Sequence, residues 1–188
     1  MHRSKLGLSE LHVSRFALGT MTFGEQTATR DAFSLLDCAR DAGINLIDCA
    51  EMYPSPSRAE TYGAAEQIVG QWLKQRGRRD EIVLASKASG PAAFVGWIRG
   101  GRSMHQHQHL VAAVDGSLQR LNTDYIDLYQ LHWPDRATNF FGQLGFKPAN
   151  NELAFNIEAT LEALQQLVSA GKIRHIGFCN ETPWGVVP

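Results

Sequence analysis

Cysteine, surplus charge and long apolar runs are all scarce in this sequence. The three cysteines, Cys38, Cys49 and Cys179, are odd in number and widely spaced. Such a set argues against a disulfide framework or a zinc site, and for a reducing compartment, the cytoplasm. Lys and Arg number 18 against 19 Asp and Glu, a formal net charge of -1 over 188 residues. That balance leaves neither a basic footprint for nucleic acid nor an acidic solvating tail. No apolar run reaches the roughly 18 residues that a membrane span needs. The N-terminus, Met1-His2-Arg3-Ser4-Lys5-Leu6-Gly7, has no apolar stretch behind its charges and does not read as a signal peptide. Two nucleotide-binding signatures are missing as well, the Walker A loop and the Gly-x-Gly-x-x-Gly turn of doubly wound dinucleotide sheets. After the first predicted strand the sequence reads Leu18-Gly19-Thr20-Met21-Thr22-Phe23-Gly24 instead.

What is present is an alternation of strands and helices, in a composition that is 44% hydrophobic and 20% charged, as in an ordinary globular protein. Residues 1–13 suggest a small hairpin. Ser14 to Thr20 reads as a strand, and Thr29 as an N-cap with Asp31 in the first turn, where negative charge suits the helix dipole. Ala32, Leu35, Leu36 and Ala39 then recur at i, i+3, i+4 and i+7, the apolar stripe of a helix. Gly43 stands where a left-handed residue ends a helix, ahead of the strand Ile44 to Asp48. The pattern repeats. Helical stripes at Ala65, Ile68, Val69 and Trp72, at Val111, Val114, Leu118 and Leu121, and at Ile157, Leu161, Leu164 and Val168 precede strands at 82–87, 125–132 and 173–178. Strands separated by helices of three or more turns imply βαβ units and a parallel sheet. Without the glycine fingerprint, a barrel fits better than a doubly wound sheet. Long loops at 88–104 and 133–151 follow strands and would lie on the C-terminal face of the sheet.

That face collects the chemistry. Asp48, Lys87, His132 and the pair Cys179-Asn180 each close a strand, and the carboxyl ends of parallel strands are where α/β active sites form. Singly, each is an ordinary strand end entering solvent; jointly they suggest a site. The run Met104-His105-Gln106-His107-Gln108-His109 places His105 and His109 four apart, as on one helix face, but no carboxylate or thiolate accompanies them and no metal site is expected. Arg76-Gly77-Arg78-Arg79 reads as a solvated helix end.

Five segments in order and spacing resemble the aldo-keto reductase family. They are Gly19-Thr20-Met21; Ile47-Asp48-Cys49-Ala50-Glu51-Met52-Tyr53; Ser86-Lys87; the run from Leu121 through Asp127 to Leu131-His132-Trp133-Pro134; and Gly171-Lys172-Ile173-Arg174-His175-Ile176-Gly177-Phe178-Cys179-Asn180-Glu181. With the loops Ser89-Gly90-Pro91 and Asn139-Phe140-Phe141-Gly142, the chain looks most like the family's bacterial Tas-like branch. The resemblance implies a (β/α)8 TIM barrel, here incomplete: an N-terminal hairpin and about five βα units over residues 1–188. It implies hydride transfer from NADPH to a small aldehyde or ketone. Tyr53 would be the general acid, assisted by Lys87, with Asp48 holding Lys87 charged and His132 hydrogen-bonded to the carbonyl oxygen. Gly19, Thr20, Asp48, Cys179 and Asn180 would contact the cofactor, and Trp133 would wall the substrate pocket. Cys179 stands where the family usually has Ser, a stronger hydrogen-bonding group.

A complete barrel of this kind runs to ~250 residues. The expectation is therefore a domain truncated at its C-terminus, ending at Pro183-Trp184-Gly185-Val186-Val187-Pro188. Alone it should bind NADPH weakly and self-associate through open sheet edges. A reading from another class is a non-catalytic product, either a remnant or a reductase-like binding subunit. A metal-dependent barrel hydrolase is disfavoured by Lys87 among the strand ends.

Overall fold

The computed structural model describes residues 1–101, 105–136, 138–139, 141, 144–145 and 156–186. Met104 of the histidine-rich run, Phe140 and Gly142 of the second long loop, and Val187 and Pro188 lie outside them. The chain opens with an antiparallel hairpin of β1 (Arg3–Lys5) and β2 (His12–Ser14). Five parallel strands follow in sequential order: β3 (Ala17–Gly19), β4 (Leu46–Asp48), β5 (Val83–Ala88), β6 (Ile126–Leu131) and β7 (Ile173–Phe178). Helices α1 (Thr29–Asp41), α2 (Ala64–Arg76), α3 (His107–Leu121) and α4 (Ile157–Ser169) connect successive strands, and α5 (Pro183–Val186) begins after β7. No helix of the described residues is long and apolar enough to cross a membrane.

The helices form where the apolar stripes are, with local corrections. Ala28 rather than Thr29 is the N-cap of α1, and it makes no side-chain cap bond; Thr29 is already helical. Asn156 does cap α4, its side chain accepting from the Ala159 N–H at 3.0 Å. Leu35 and Leu161 belong to their helical stripes but are exposed. In α4 the buried face is Thr160, Ala163, Leu164 and Leu167, rotated from the stripe expected, and the helix packs on both α3 and β7. Ser14 belongs to the hairpin, and β3 starts only at Ala17. His105 precedes α3, which starts at His107, so His105 and His109 do not share a helix face. The loop after β5 is built from two short 3-10 turns, Ala93–Val95 and Arg99–Gly101.

The main core lies between helices and sheet and includes Phe23, Leu36, Trp72, Leu84, Leu110, Ile126, Tyr129 and Leu164. Helices α2 and α3 approach closely at Gly70, where a Cβ would lie only 2.7 Å from the Leu121 carbonyl carbon. A second cluster, Leu11, Val13 and Val83, packs the hairpin under the N-terminal ends of the strands. Asn45 fixes that contact. Its Oδ1 accepts from the Ser14 N–H at 2.8 Å, and its Nδ2 donates to the His12 carbonyl at 2.9 Å. Nearby, buried Asp127 accepts from Arg79 at 2.7 Å, Arg174 at 2.9 Å and the Leu84 N–H at 2.9 Å. The N-terminal end is thus occupied by packing and ion pairs, and the opposite end carries the open cleft.

Candidate active site

Asp48 ends β4, Lys87 is the penultimate residue of β5, and His132 follows β6. The parallel register carries all three to the C-terminal face. Tyr53 arrives on the loop after β4. Lys87 is almost fully buried, a cost that a lone ammonium could not sustain. Its Nζ donates to Asp48 Oδ2 at 2.5 Å and to the Cys49 carbonyl at 2.7 Å. Gln130 Nε2 donates to the other Asp48 oxygen at 3.3 Å. Burial works against the Lys87 charge, but Asp48 and Tyr53 outweigh it and the amine is held above its ordinary range.

Lys87 Nζ stands 5.0 Å from the centre of the Tyr53 ring. Burial raises the Tyr53 hydroxyl above its usual value of 10, while the Lys87 charge pulls the other way. His132 meets Tyr53 edge-on, ring centres 5.6 Å apart. Desolvation, aided by Lys87, drives His132 down to about 3, so its ring is neutral at physiological pH. Its Nδ1 is buried without a partner among the described residues, which leaves Nε2 as the polar atom offered to the cleft.

That cleft holds about 620 Å³ and is lined by Met21, Met52, Tyr53, Phe94, His132 and Phe141, with Cys179 and Asn180 at its edge. Trp133, expected as its wall, is 0% exposed and is not among the residues that line it. The indole lies under the loop, donating Nε1 to the Pro91 carbonyl at 3.1 Å. It supports the wall from behind: Phe94 packs on it at a tilt, ring centres 5.7 Å apart, and Phe141 meets it edge-on at 5.4 Å, and the two are themselves 46% and 49% exposed. Sequence reading missed these two as lining residues, because both sit in loops without periodicity.

The expected cofactor contacts divide. Thr20 is buried, and its hydroxyl donates to the Asp48 carbonyl at 2.9 Å, so it braces Asp48 from within. Gly19 is exposed, and a Cβ built on it meets nothing within 4 Å, so the space beside Asp48 is open. Asn180 has a left-handed backbone, φ 52°, and its Nδ2 donates to the His132 carbonyl at 2.8 Å. That anchors the amide and leaves its oxygen as an acceptor at the cleft edge. Asn180 Nδ2 also reaches Cys179 Sγ at 3.3 Å, which ties the thiol into the same corner. Open space at Gly19 and an anchored amide at Asn180 fit the nicotinamide end of a dinucleotide.

The aldo/keto reductase family model matches residues 15–187. The chain belongs to the aldo/keto reductase family. Protein tas of Escherichia coli is 47% identical over 188 residues, all of this chain and 54% of that protein. An uncharacterised oxidoreductase, YrpG of Bacillus subtilis, is 36% identical over 192 residues, covering 100% of this chain and 52% of its own. Among solved structures, aldo-keto reductase AKR11C1 from Bacillus halodurans in its holo form superposes with a TM-score of 0.69 at 33% identity. It is matched over 95% of this chain and 50% of its own length. The thermostable aldo-keto reductase Tm1743, in complex with the inhibitor epalrestat, gives 0.73 at 25% identity, over 98% and 56% of the two chains. The chain spans about half the length of the relatives it matches. Its five-stranded parallel sheet is accordingly part of an aldo/keto reductase barrel.

Proposed function

We propose that this chain is the catalytic portion of a cytoplasmic, NADPH-dependent reductase of small aldehydes or ketones. When bound, NADPH supplies the hydride that the carbonyl carbon accepts. The protein's task is to handle the oxygen. Tyr53 gives its proton to that oxygen as negative charge develops there. The phenolate left behind is stabilised by the Lys87 ammonium, which Asp48 keeps charged and in place. Neutral His132 offers an N–H to the same oxygen and fixes its direction.

The observation that carries this reading is the convergence of an otherwise prohibitively buried ammonium, its carboxylate, a tyrosine and a neutral histidine at one open cleft. Burial of this kind shifts ionisation where chemistry needs it. The unpaired state of all three cysteines agrees with a reducing compartment. The test is NADPH consumption with a panel of aldehydes and ketones, on protein carrying this chain within a full-length barrel. Tyr53→Phe should lower kcat by about 10²–10⁴-fold, the usual worth of a general acid, with binding of NADPH unchanged. Undiminished turnover in Tyr53→Phe would remove the tyrosine from the role. No turnover by the unaltered protein with any carbonyl would favour the non-catalytic, reductase-like subunit.

A further inference from the structure

An ion pair that the proposed chemistry does not use joins the loop that carries Tyr53 to the loop that carries Phe94. Glu51, two residues before Tyr53, is 0% exposed. Its carboxylate takes both terminal nitrogens of Arg99, each at 2.7 Å, in a bidentate pair. The Ser89 N–H also donates to Glu51 Oε1, at 2.6 Å. The Glu51 N–H in turn donates to the Lys87 carbonyl at 3.3 Å. One carboxylate therefore grips both ends of the loop that follows β5, at Ser89 and at Arg99. Phe94, on the cleft wall, lies between those grips.

Arg99 is built for this position. It adopts a left-handed backbone, φ 48°, which an arginine does not favour and which surrounding contacts must maintain. Its Nε is buried without a partner among the described residues, and the side-chain bonds it makes there are the fork to Glu51. A fully buried pair is weak grounds for stability as such, since apolar residues of equal volume commonly do as well. What a bidentate pair adds is geometry, because the planar fork fixes both partners in direction as well as distance.

We propose that Glu51 and Arg99 are positioning residues that lock the Phe94 wall onto the Tyr53 loop. The lock fixes the distance between the end of the cleft that receives a flat apolar group and the end that receives a carbonyl. The inference rests on the reductase reading for its kinetic readout, but not for its binding readout. An uncharged, flat aromatic aldehyde spans both ends and depends on the lock. A short aliphatic aldehyde touches only the Tyr53 end and does not.

The experiment compares 2-naphthaldehyde with propanal in the full-length protein, by steady-state kinetics and by calorimetric binding of 2-naphthaldehyde. Breaking one partner can unfold a protein, so the main variant is the paired neutral substitution Glu51→Gln with Arg99→Met, checked for an unchanged melting temperature. Arg99→Lys serves as the conservative rescue and Phe94→Ala as the partner perturbation. The paired variant should raise KM and Kd for 2-naphthaldehyde about tenfold. With propanal, kcat and KM should stay within about twofold, and Arg99→Lys should recover part of the loss. Combined with Phe94→Ala, the paired substitution should cause no further loss, because coupled residues are not additive. Equal losses for both aldehydes, additive losses with Phe94→Ala, or unchanged naphthaldehyde binding would each overturn the proposal. If the unaltered protein reduces neither aldehyde, the reductase reading fails, and the calorimetric comparison still decides the lock.

Discussion

Mild acid should destabilise this protein through two histidines, and the size of the effect follows from their burial. His132 is pushed down to about 3 and His105 to about 4, in both cases chiefly by desolvation. The groups facing them reinforce or oppose this. Lys87 repels a proton from His132; Arg99 repels one from His105, and Glu51 attracts it. Neither ring nitrogen of His105 has a partner among the described residues. Both folded values lie below the ordinary value of 6.5, so the unfolded chain binds more protons throughout the interval between. Stability therefore rises with pH across that interval and is lost as pH falls below about 6.5. At pH 5 linkage gives a loss of about 2 kcal/mol per ring, about 4 kcal/mol for the two. A domain stability of about 5–15 kcal/mol makes that a large fraction. The carboxyls of Asp37 and Glu181 are held below their ordinary range and titrate lower still, so they leave this window alone. Asp135, raised by burial, works in the opposite direction. Urea unfolding at pH 7.5 and pH 5.0, on the unaltered protein and on His132→Asn and His105→Asn, measures the effect. Each variant should lose about half of the pH dependence. A stability unchanged between the two pH values, or a dependence that both variants keep in full, would refute the reasoning.

Two further outcomes are expected. In Gly90→Ala the new Cβ would sit 2.5 Å from Trp133 Nε1 and 2.8 Å from the Trp133 carbonyl oxygen. Overpacking of this kind should cost about 1–3 kcal/mol, read as a lower urea midpoint, and an unchanged midpoint would show that the indole can move aside. The 188-residue chain expressed by itself should self-associate through β3 and β7, each of which has one sheet neighbour in the described residues. Light scattering that reports a monomer at every concentration would refute this.

Much of this molecule is legible in its sequence, for identifiable reasons. The strand Ile173–Phe178 is marked by Gly171 before it and by its own apolar residues, and β7 has those bounds. Asp48, Lys87 and His132 are legible because each closes an apolar run at a strand end. Trp133 shows where pattern reading stops. It follows the end of β6, and its indole is buried under the loop that carries Phe94 instead of lining the cleft, a placement no strand or helix period marks. Thr29 resembles a cap by residue type, but the chain bends one residue earlier at Ala28, which offers no side-chain signal. Glu51 and Arg99 are 48 residues apart, joined only when two loops fold over the sheet, and no local pattern announces them. Phe94 and Phe141 are hidden likewise, since loop aromatics carry no period that tells wall from surface.

The side chains proposed to react stand at the ends of three consecutive strands, β4, β5 and β6, and on the loop between the first two. Such a neighbourhood can be inherited as a block. Substitutions in the loops that follow these strands, as at Phe94 and Phe141, can reshape what the cleft admits while leaving the proposed proton-handling group untouched. Selection for new substrates can therefore act on the loops while purifying selection holds the strand ends. A lineage can diversify its diet without reinventing its chemistry.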